Sequence, residues 1–155
     1  YLSRLLLEFI GITASFMGLM VTFALLEVIP WPQDILRMVI AWFLVMWFAL
    51  GYGLLIGTFM AISHVFSMLW RGVNVGLFIC SGVIFMVAWL PLAVRDLILY
   101  VPMVHGTEML RHGYYGDLVP TFENPWYLIG WNLVLTLMGL IAIRSPRLVD
   151  LMEEA

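Results

Sequence analysis

Long uncharged runs alternate with short polar stretches along most of this sequence. Phe9–Leu26 has 18 residues, Met38–Ser63 has 26, Gly72–Val94 has 23, and Trp126–Ile143 is the last such run. Because about 20 helical residues cross the roughly 30 Å apolar core of a bilayer, this pattern predicts four transmembrane helices. We place them at about 6–28, 36–62, 72–94 and 126–143.

The stretch between the third and fourth runs has a different character. Leu97–Val104 is an apolar run of eight residues, which as a helix reaches only about 12 Å and cannot cross a bilayer. The residues after it contain the densest group of polar and ionisable side chains in the chain. We therefore predict an all-α membrane protein with a single transmembrane domain. An outer re-entrant or interfacial segment occupies about 95–118, and a cytoplasmic tail follows at 144–155.

Composition agrees with a membrane protein. Of the 155 residues, 64% are hydrophobic and only 11% are charged, whereas soluble domains carry about 25% charged residues. The single cysteine, Cys80, excludes a disulfide framework. The sequence has no lysine, which a phosphate-binding loop requires, so any ATP hydrolysis has to take place on another chain. The centres of the predicted spans lack Asp, Glu, Lys and Arg, which argues against ion-coupled transport.

The arginines give a weak indication of orientation. Four spans place both ends of the chain on one side of the membrane. That side holds four arginines and the opposite side holds three. Since cytoplasmic segments carry an excess of Arg and Lys, we expect both ends and the connection at 64–71 to be cytoplasmic. The polar segment at about 95–118 then faces outward.

Three ionisable residues of the outer segment share the spacing of one helical face. His105, Glu108 and His112 lie at i, i+3 and i+7. Such a set can bind a transition metal, and Glu108 or His105 could act in acid–base catalysis. The alternative is that Glu108 pairs with Arg111 or His112 and orients a re-entrant helix. We favour this second interpretation and expect no metal and no other cofactor.

Aromatic residues form the other group of candidates. Most of them are expected in helix packing or at the membrane interface, and some could contact a sugar chain through their flat apolar faces. Tyr114 and Tyr115, beside the outer polar segment, are the best candidates for such a contact. Further candidates for a sugar path are Trp47, Tyr52, Trp89 and Tyr100. The 64–71 stretch is either a plain connection or a small helix that contacts a partner, with His64, Phe66, Trp70 and Arg71 as the contact residues.

The residues from Leu99 to Gly116, followed by Glu123-Asn-Pro-Trp-Tyr127, resemble the capsular polysaccharide export permeases. These are the membrane subunits of type-2 ABC exporters in Gram-negative bacteria. The pattern Pro-x-x-His-Gly-x-Glu-x-x-Arg, here starting at Pro102, is specific to that resemblance. Members usually have six spans, so this chain, which begins with Tyr1 rather than Met, is expected to be the C-terminal part of a longer protein.

The resemblance implies an inner-membrane transport subunit that is not itself an enzyme. It implies a homodimer docked on two ATP-binding subunits, which forms a canal for lipid-linked, often acidic, capsular polysaccharide and works with periplasmic and outer-membrane capsule export proteins. Nucleic acid is not an expected partner. Residues 96–116 would gate the exit, with His105, Glu108, Arg111, Tyr114 and Tyr115 as gate residues. The 64–71 stretch would lie at the ATPase interface.

Three other functions remain open from the sequence. The chain could export another lipid-linked glycan, such as O-antigen or teichoic acid. It could be a membrane enzyme that acts on lipid-linked sugars through His105 and Glu108. It could also be a scaffold without a transport path.

Overall fold

The structure is a computed structural model that describes residues 2–62 and 64–144, and these residues form helices, turns and irregular segments without any strand. The six α-helices are α1 (Leu2–Leu25), α2 (Ile35–Ile62), α3 (His64–Cys80), α4 (Leu92–Ile98), α5 (Pro102–Tyr115) and α6 (Pro125–Arg144). Two 3₁₀ turns lie at Val87–Trp89 and Gly116–Leu118. The all-α fold is confirmed. The predicted tail lies outside the described residues, except for Arg144.

Among residues 2–62 and 64–144, three helices are long and apolar enough to cross a membrane. Their apolar stretches are Leu7–Leu25, Ile35–Ala61 and Pro125–Arg144, and α3 contributes a shorter one at Val65–Cys80. Three of the four predicted spans therefore have a counterpart of sufficient length. The fourth crossing and the re-entrant segment are not confirmed.

The third predicted span differs most from the structure. The helix in this region begins at His64, so the 64–71 stretch, interpreted as a plain connection or a small helix, forms the first turns of α3. It ends at Cys80 because Gly82 adopts φ = 78°, in the left-handed region that favours glycine. Turns and the first 3₁₀ turn follow up to Pro91. The sequence pattern missed this break because the residues on both sides of Gly82 are apolar.

The short apolar run at Leu97–Val104 is also divided. Its first residues close α4, and its last residues open α5. Val101 is extended (φ = −80°, ψ = 113°), as expected for a residue before a proline, so Pro102 starts a new helix rather than continuing α4. The polar residues that follow this run lie on α5.

Two helices begin at side-chain caps. The Asp34 carboxylate accepts a hydrogen bond from the N–H of Arg37 (2.9 Å) at the start of α2. Asn124 likewise accepts one from the N–H of Tyr127 (3.1 Å) at the start of α6, where Pro125 occupies the first helical position. Both caps lie at the same end of the helix bundle, because α2 and α6 pack side by side in the same direction.

Hydrogen bonds and a close contact between α2 and α6 establish this parallel arrangement. The Asn132 amide donates to the carbonyl of Leu44 (3.0 Å), and the Trp47 indole donates to the hydroxyl of Thr136 (3.0 Å). Gly139 lies against Leu54 further along, where a Cβ would come within 2.8 Å of the leucine Cβ. The paired positions rise together along both helices, so α2 and α6 run in parallel.

Helices α3 and α5 each follow a different half of α2, and both run antiparallel to it. In α3, Trp70 and Asn74 both hydrogen-bond Tyr52 (3.1 Å each). In α5, the carbonyl of Gly113 accepts the N–H of Asp34 (2.8 Å), and Gly106 lies against Val45. The end of α3 meets the middle of α5 where Thr107 donates to the carbonyl of Ser81 (2.9 Å).

Close helix packing in this structure depends on particular glycines. Gly53 and Gly57 have the G-x-x-x-G spacing that permits close helix contact in membranes, yet a Cβ at either would meet nothing within 4 Å among the described residues. The close contacts with α2 instead involve Gly51 and Gly139 on the α6 side and Gly113 on the α5 side. Small residues at such positions allow helix backbones to approach in a membrane.

Candidate functional site

Helix α5 presents two different faces. One face lies on α2: a Cβ at Gly113 would come within 2.7 Å of the Met38 backbone nitrogen, and Met109 joins Ala41, Leu44 and Leu128 in the buried core. The opposite side carries His105, Glu108, Arg111 and His112, which we call the polar face of α5. The segment after α3 and the segment before α6 cover this polar face. The predicted outer residues are therefore brought together on one helix.

Glu108 and Arg111 form the centre of the polar face. Their side chains are 1% and 16% exposed, and the Arg111 guanidinium donates to Oε1 of Glu108 at 2.6 Å. The backbone N–H groups of Val87 (3.4 Å) and Phe122 (3.2 Å) also donate to the Glu108 carboxylate. Arg111 in turn donates to the carbonyls of Gly82 and Val83. This pair ties α5 to both covering segments.

His105 is buried (6% exposed) and both of its ring nitrogens are used. The N–H of Asn124 donates to Nδ1 (3.1 Å), and Nε2 lies 2.9 Å from the carbonyl of Leu99. Since Nδ1 accepts, the proton is on Nε2, and the ring is the neutral Nε2–H tautomer. The ring also meets the edge of Tyr127 at a centroid distance of 5.0 Å.

His112 belongs to a cluster of ionisable side chains at the C-terminal end of the polar face. Its Nδ1 lies 2.8 Å from the hydroxyl of Thr121 and 3.8 Å from Oε1 of Glu123, and its Nε2 lies 3.9 Å from Asp117. Arg37, from the start of α2, donates to the same Glu123 oxygen at 2.9 Å. The cluster joins α2, α5 and the segment before α6.

Residues 121–124, which we call the α6 leader, are each contacted by a different polar side chain from α5 or α2. His112 contacts Thr121, Glu108 accepts from Phe122, Arg37 pairs with Glu123, and His105 accepts from Asn124. The guanidinium of Arg95, from α4, also lies 4.6 Å over the ring of Phe122. Sequence reasoning did not assign roles to Arg37, Arg95 or the leader. The Asn124-Pro125 pair is typical of the start of a helix, and it was the sequence signal that could have drawn attention to the leader.

The predicted gate tyrosines lie at the end of α5. The Tyr114 hydroxyl donates to the carbonyl of Pro30 (2.7 Å), and its ring meets Tyr115 edge to face at 4.8 Å. Burial raises the pKa of the Tyr114 phenol, and the neighbouring Tyr115 raises it further. Tyr115 is 37% exposed. Tyr114 thus fixes the end of α5 to the turn between α1 and α2.

The four aromatic residues predicted to line a path fall into two groups. Trp47 and Tyr52 are engaged in hydrogen bonds between helices, as described above. Trp89 and Tyr100 are 71% and 73% exposed, and both lie in the stretch from the first 3₁₀ turn to the start of α5. The structure does not bring these four residues together into one surface.

The residues predicted to contact an ATPase lie at the start of α3. Phe66 stacks on Trp70 at 5.4 Å, and Trp70 donates to the Tyr52 hydroxyl, so both rings pack against neighbouring helical residues. Arg71 is exposed. The side chain of His64 lies outside the described part of the structure.

Histidine, cysteine and acidic side chains do not converge as a metal site requires. Within residues 2–62 and 64–144, no three of these side chains form a group that could hold a metal ion. The polar face of α5 offers hydrogen bonds and ion pairs to the neighbouring chain segments.

Comparison with curated proteins reveals clear relatives. The capsule polysaccharide export inner-membrane protein CtrC of Neisseria meningitidis serogroup A is 41% identical over 141 residues, which are 91% of this chain and 53% of that protein. The capsule polysaccharide export inner-membrane protein BexB of Haemophilus influenzae is 38% identical over 143 residues, or 92% of this chain and 54% of that protein. CtrC of N. meningitidis serogroup B is 39% identical over 142 residues.

The chain spans about half the length of the curated relatives that it matches. No family model matches the sequence. No solved structure matches it either.

Proposed function

We propose that the chain is part of the membrane-spanning subunit of an ATP-driven exporter of lipid-linked capsular polysaccharide. It is a relative of the capsule polysaccharide export inner-membrane proteins, as its resemblance to capsular export permeases predicted. The predicted inner-membrane localisation is confirmed: the relatives are named inner-membrane proteins, and three helices are long and apolar enough to span a bilayer. The observation that carries the proposal is sequence identity of 37–41% over more than nine-tenths of the chain.

We infer that α5 is the re-entrant helix at the outer mouth of the export path. Its 14 residues extend about 21 Å, and it lies beside the first half of the 28-residue helix α2. Within the apolar part of a bilayer, a helix with one polar face is stable only when other chain segments satisfy its hydrogen-bonding groups. The segment after α3 and the α6 leader supply those partners, which supports this placement.

Among the aromatic candidates, we propose Trp89 and Tyr100 as the polymer contacts. Their rings are exposed, as rings that stack on sugar faces need to be. Trp47 and Tyr52, by contrast, hold α2 to α6 and α3. We assign these two residues to helix packing rather than to the path.

ATP hydrolysis is proposed to take place on a separate subunit. A chain without lysine cannot form the phosphate-binding loop of an ABC ATPase. The contact with that subunit is proposed at the start of α3, where Arg71 is exposed, while Phe66 and Trp70 support it from inside. The second copy of the subunit and the periplasmic and outer-membrane export proteins are further proposed partners.

The proposal is tested by deleting the gene and locating the capsular polymer by cell fractionation and immunolabelling. Polymer retained in the cytoplasm, with surface capsule restored by a plasmid copy, is the expected result. Absence of polymer from every fraction would favour a biosynthetic enzyme. Normal surface capsule together with retention of another lipid-linked glycan would assign the exporter to that glycan, and normal display of all glycans would contradict an export function.

A further inference from the structure

The bond between His105 and Asn124 depends on the protonation state of the histidine. Nδ1 accepts the Asn124 N–H (3.1 Å), so this nitrogen must carry a lone pair, while Nε2–H donates to the carbonyl of Leu99 (2.9 Å). A proton on Nδ1 would face another N–H and would remove the bond. Imidazole is the side chain that ordinarily changes charge between about pH 5 and 8.

We propose that His105 makes the attachment of the α6 leader to α5 acid-sensitive: protonation of the imidazole releases Asn124 from α5. Asn124 also caps α6 through its side chain. The released residue is therefore the one at which α6 begins, and acid loosens the junction between α5 and α6. The inference concerns local chain contacts and does not depend on what the protein exports.

The surroundings of His105 do not supply a free counter-ion for the imidazolium. Glu108 lies one turn away on α5, but its carboxylate already accepts from Arg111, Val87 and Phe122. From α6, the titratable group that faces the ring is Tyr127, whose hydroxyl donates to the carbonyl of Tyr100. The turn between α4 and α5 presents the carbonyl of Leu99. None of these contacts compensates for the lost acceptor.

His112, two turns along the same helix, has a different set of neighbours. It lies between two carboxylates, Glu123 at 3.8 Å and Asp117 at 3.9 Å. Arg37, from α2, faces Glu123 as well, and Arg111 is directed to Glu108 and the segment after α3. Within the described residues, His112, unlike His105, accepts no backbone N–H bond from the α6 leader, and it is not required for the attachment of Asn124. The two histidines can thus be separated by substitution.

The test is hydrogen–deuterium exchange of the full-length gene product in lipid nanodiscs at about pH 7.5 and about pH 5.5. Rates are corrected for the intrinsic pH dependence of amide exchange. In the native protein, we expect the peptide that contains Asn124 to exchange roughly two- to tenfold faster at the lower pH, the effect of one lost hydrogen bond. A peptide within α2 should show no such excess in its exchange rate at the lower pH. This comparison distinguishes local release from general unfolding.

Two substitutions of His105 remove the titration and retain an acceptor. His105→Asn and His105→Gln both offer an amide oxygen, so either variant that folds should lose the acid-induced excess. His112→Gln is the matched control, and it should keep the excess. The proposal is overturned if the native protein shows no excess, if the excess persists in the folded His105 variants, or if His112→Gln abolishes it.

Discussion

The Glu108 carboxylate holds three separate parts of the chain in one place. It is almost completely buried, and its partners come from α5 itself, from the first 3₁₀ turn and from the α6 leader. Arg111 extends this connection to the turn after α3. Removing one member of a buried ion pair leaves an uncompensated charge, which is costlier than removing both.

We therefore expect Arg111→Met to destabilise the protein by about 3–5 kcal/mol. The measurement is thermal unfolding of the detergent-solubilised protein, followed by intrinsic tryptophan fluorescence. The double variant Glu108→Gln/Arg111→Met should be more stable than Arg111→Met alone, because the buried charge is gone.

The exposed pair Arg4–Glu8 provides the control for this measurement. Its side chains are 83% and 58% exposed, so Arg4→Met should change stability by less than about 0.5 kcal/mol. Equal unfolding temperatures for Arg111→Met and the parent protein would mean that the buried pair contributes nothing.

For individual residues, the sequence identified the polar side chains of α5 but not all of their hydrogen-bond partners. The i, i+3, i+7 spacing placed His105, Glu108 and His112 on one helical face, and the pairing of Glu108 with Arg111 was one of two alternatives that the sequence left open. The backbone groups of Val87, Phe122 and Asn124 could not be foreseen. They become partners only when segments distant in sequence fold over α5.

Helix α5 is positioned by the fit of its small residues against α2. At Gly113, a Cβ would lie 2.7–2.9 Å from Met38 backbone and side-chain atoms, closer than carbon atoms tolerate. Two backbone hydrogen bonds, from Gln33 to the Tyr114 carbonyl and from Asp34 to the Gly113 carbonyl, form at this close approach. The start of α2 and the end of α5 are thereby joined directly through their backbones.

We expect Gly113→Ala to push α5 away from α2 and to destabilise the protein by about 1–3 kcal/mol, the usual effect of overpacking. Gly53→Ala is the matched control, since a Cβ there meets nothing within 4 Å. That variant should be neutral or more stable by up to about 1 kcal/mol, because alanine favours helix more than glycine does. Thermal unfolding of both proteins makes the comparison, and a larger loss at Gly53 than at Gly113 would contradict this packing.

Hydropathy located the long helices well and the short ones poorly. The runs that became α1, α2 and α6 are continuous, and their termini carry prolines or caps that can be read from the sequence. Between residues 72 and 104 the chain remains apolar through the break at Gly82. There, backbone conformation and contacts with α5 decide where helices end, and hydropathy does not report either of them.

At the scale of the whole molecule, α2 is the helix on which the others assemble. Helix α6 runs parallel to it, while α3 and α5 follow its two halves in the opposite direction. The start of α2, the end of α5 and the start of α6 therefore lie at one end of the bundle, and the start of α3 lies at the other. If α2 crosses the membrane, α3 and α5 lie end to end beside it and together have about the length of one crossing. Residues 81–101 connect them beside the polar face.

This arrangement predicts on which side of the membrane two exposed residues lie. In a background in which Cys80 and any other cysteine of the full-length gene product are replaced by alanine, Leu118→Cys reports on the end of α5 and Val65→Cys on the start of α3. The native residues are 76% and 66% exposed. A membrane-impermeant maleimide added to intact spheroplasts should label the cysteine at 118 and should spare the cysteine at 65. The latter should react only after the membrane is disrupted, and the cysteine-free parent protein should remain unlabelled throughout. Labelling of both positions from outside would place the two ends of α2 on one side, and such a helix could not span the bilayer. Labelling at 65 alone would invert the orientation and place the polar face of α5 in the cytoplasm, where it could not form an outer mouth.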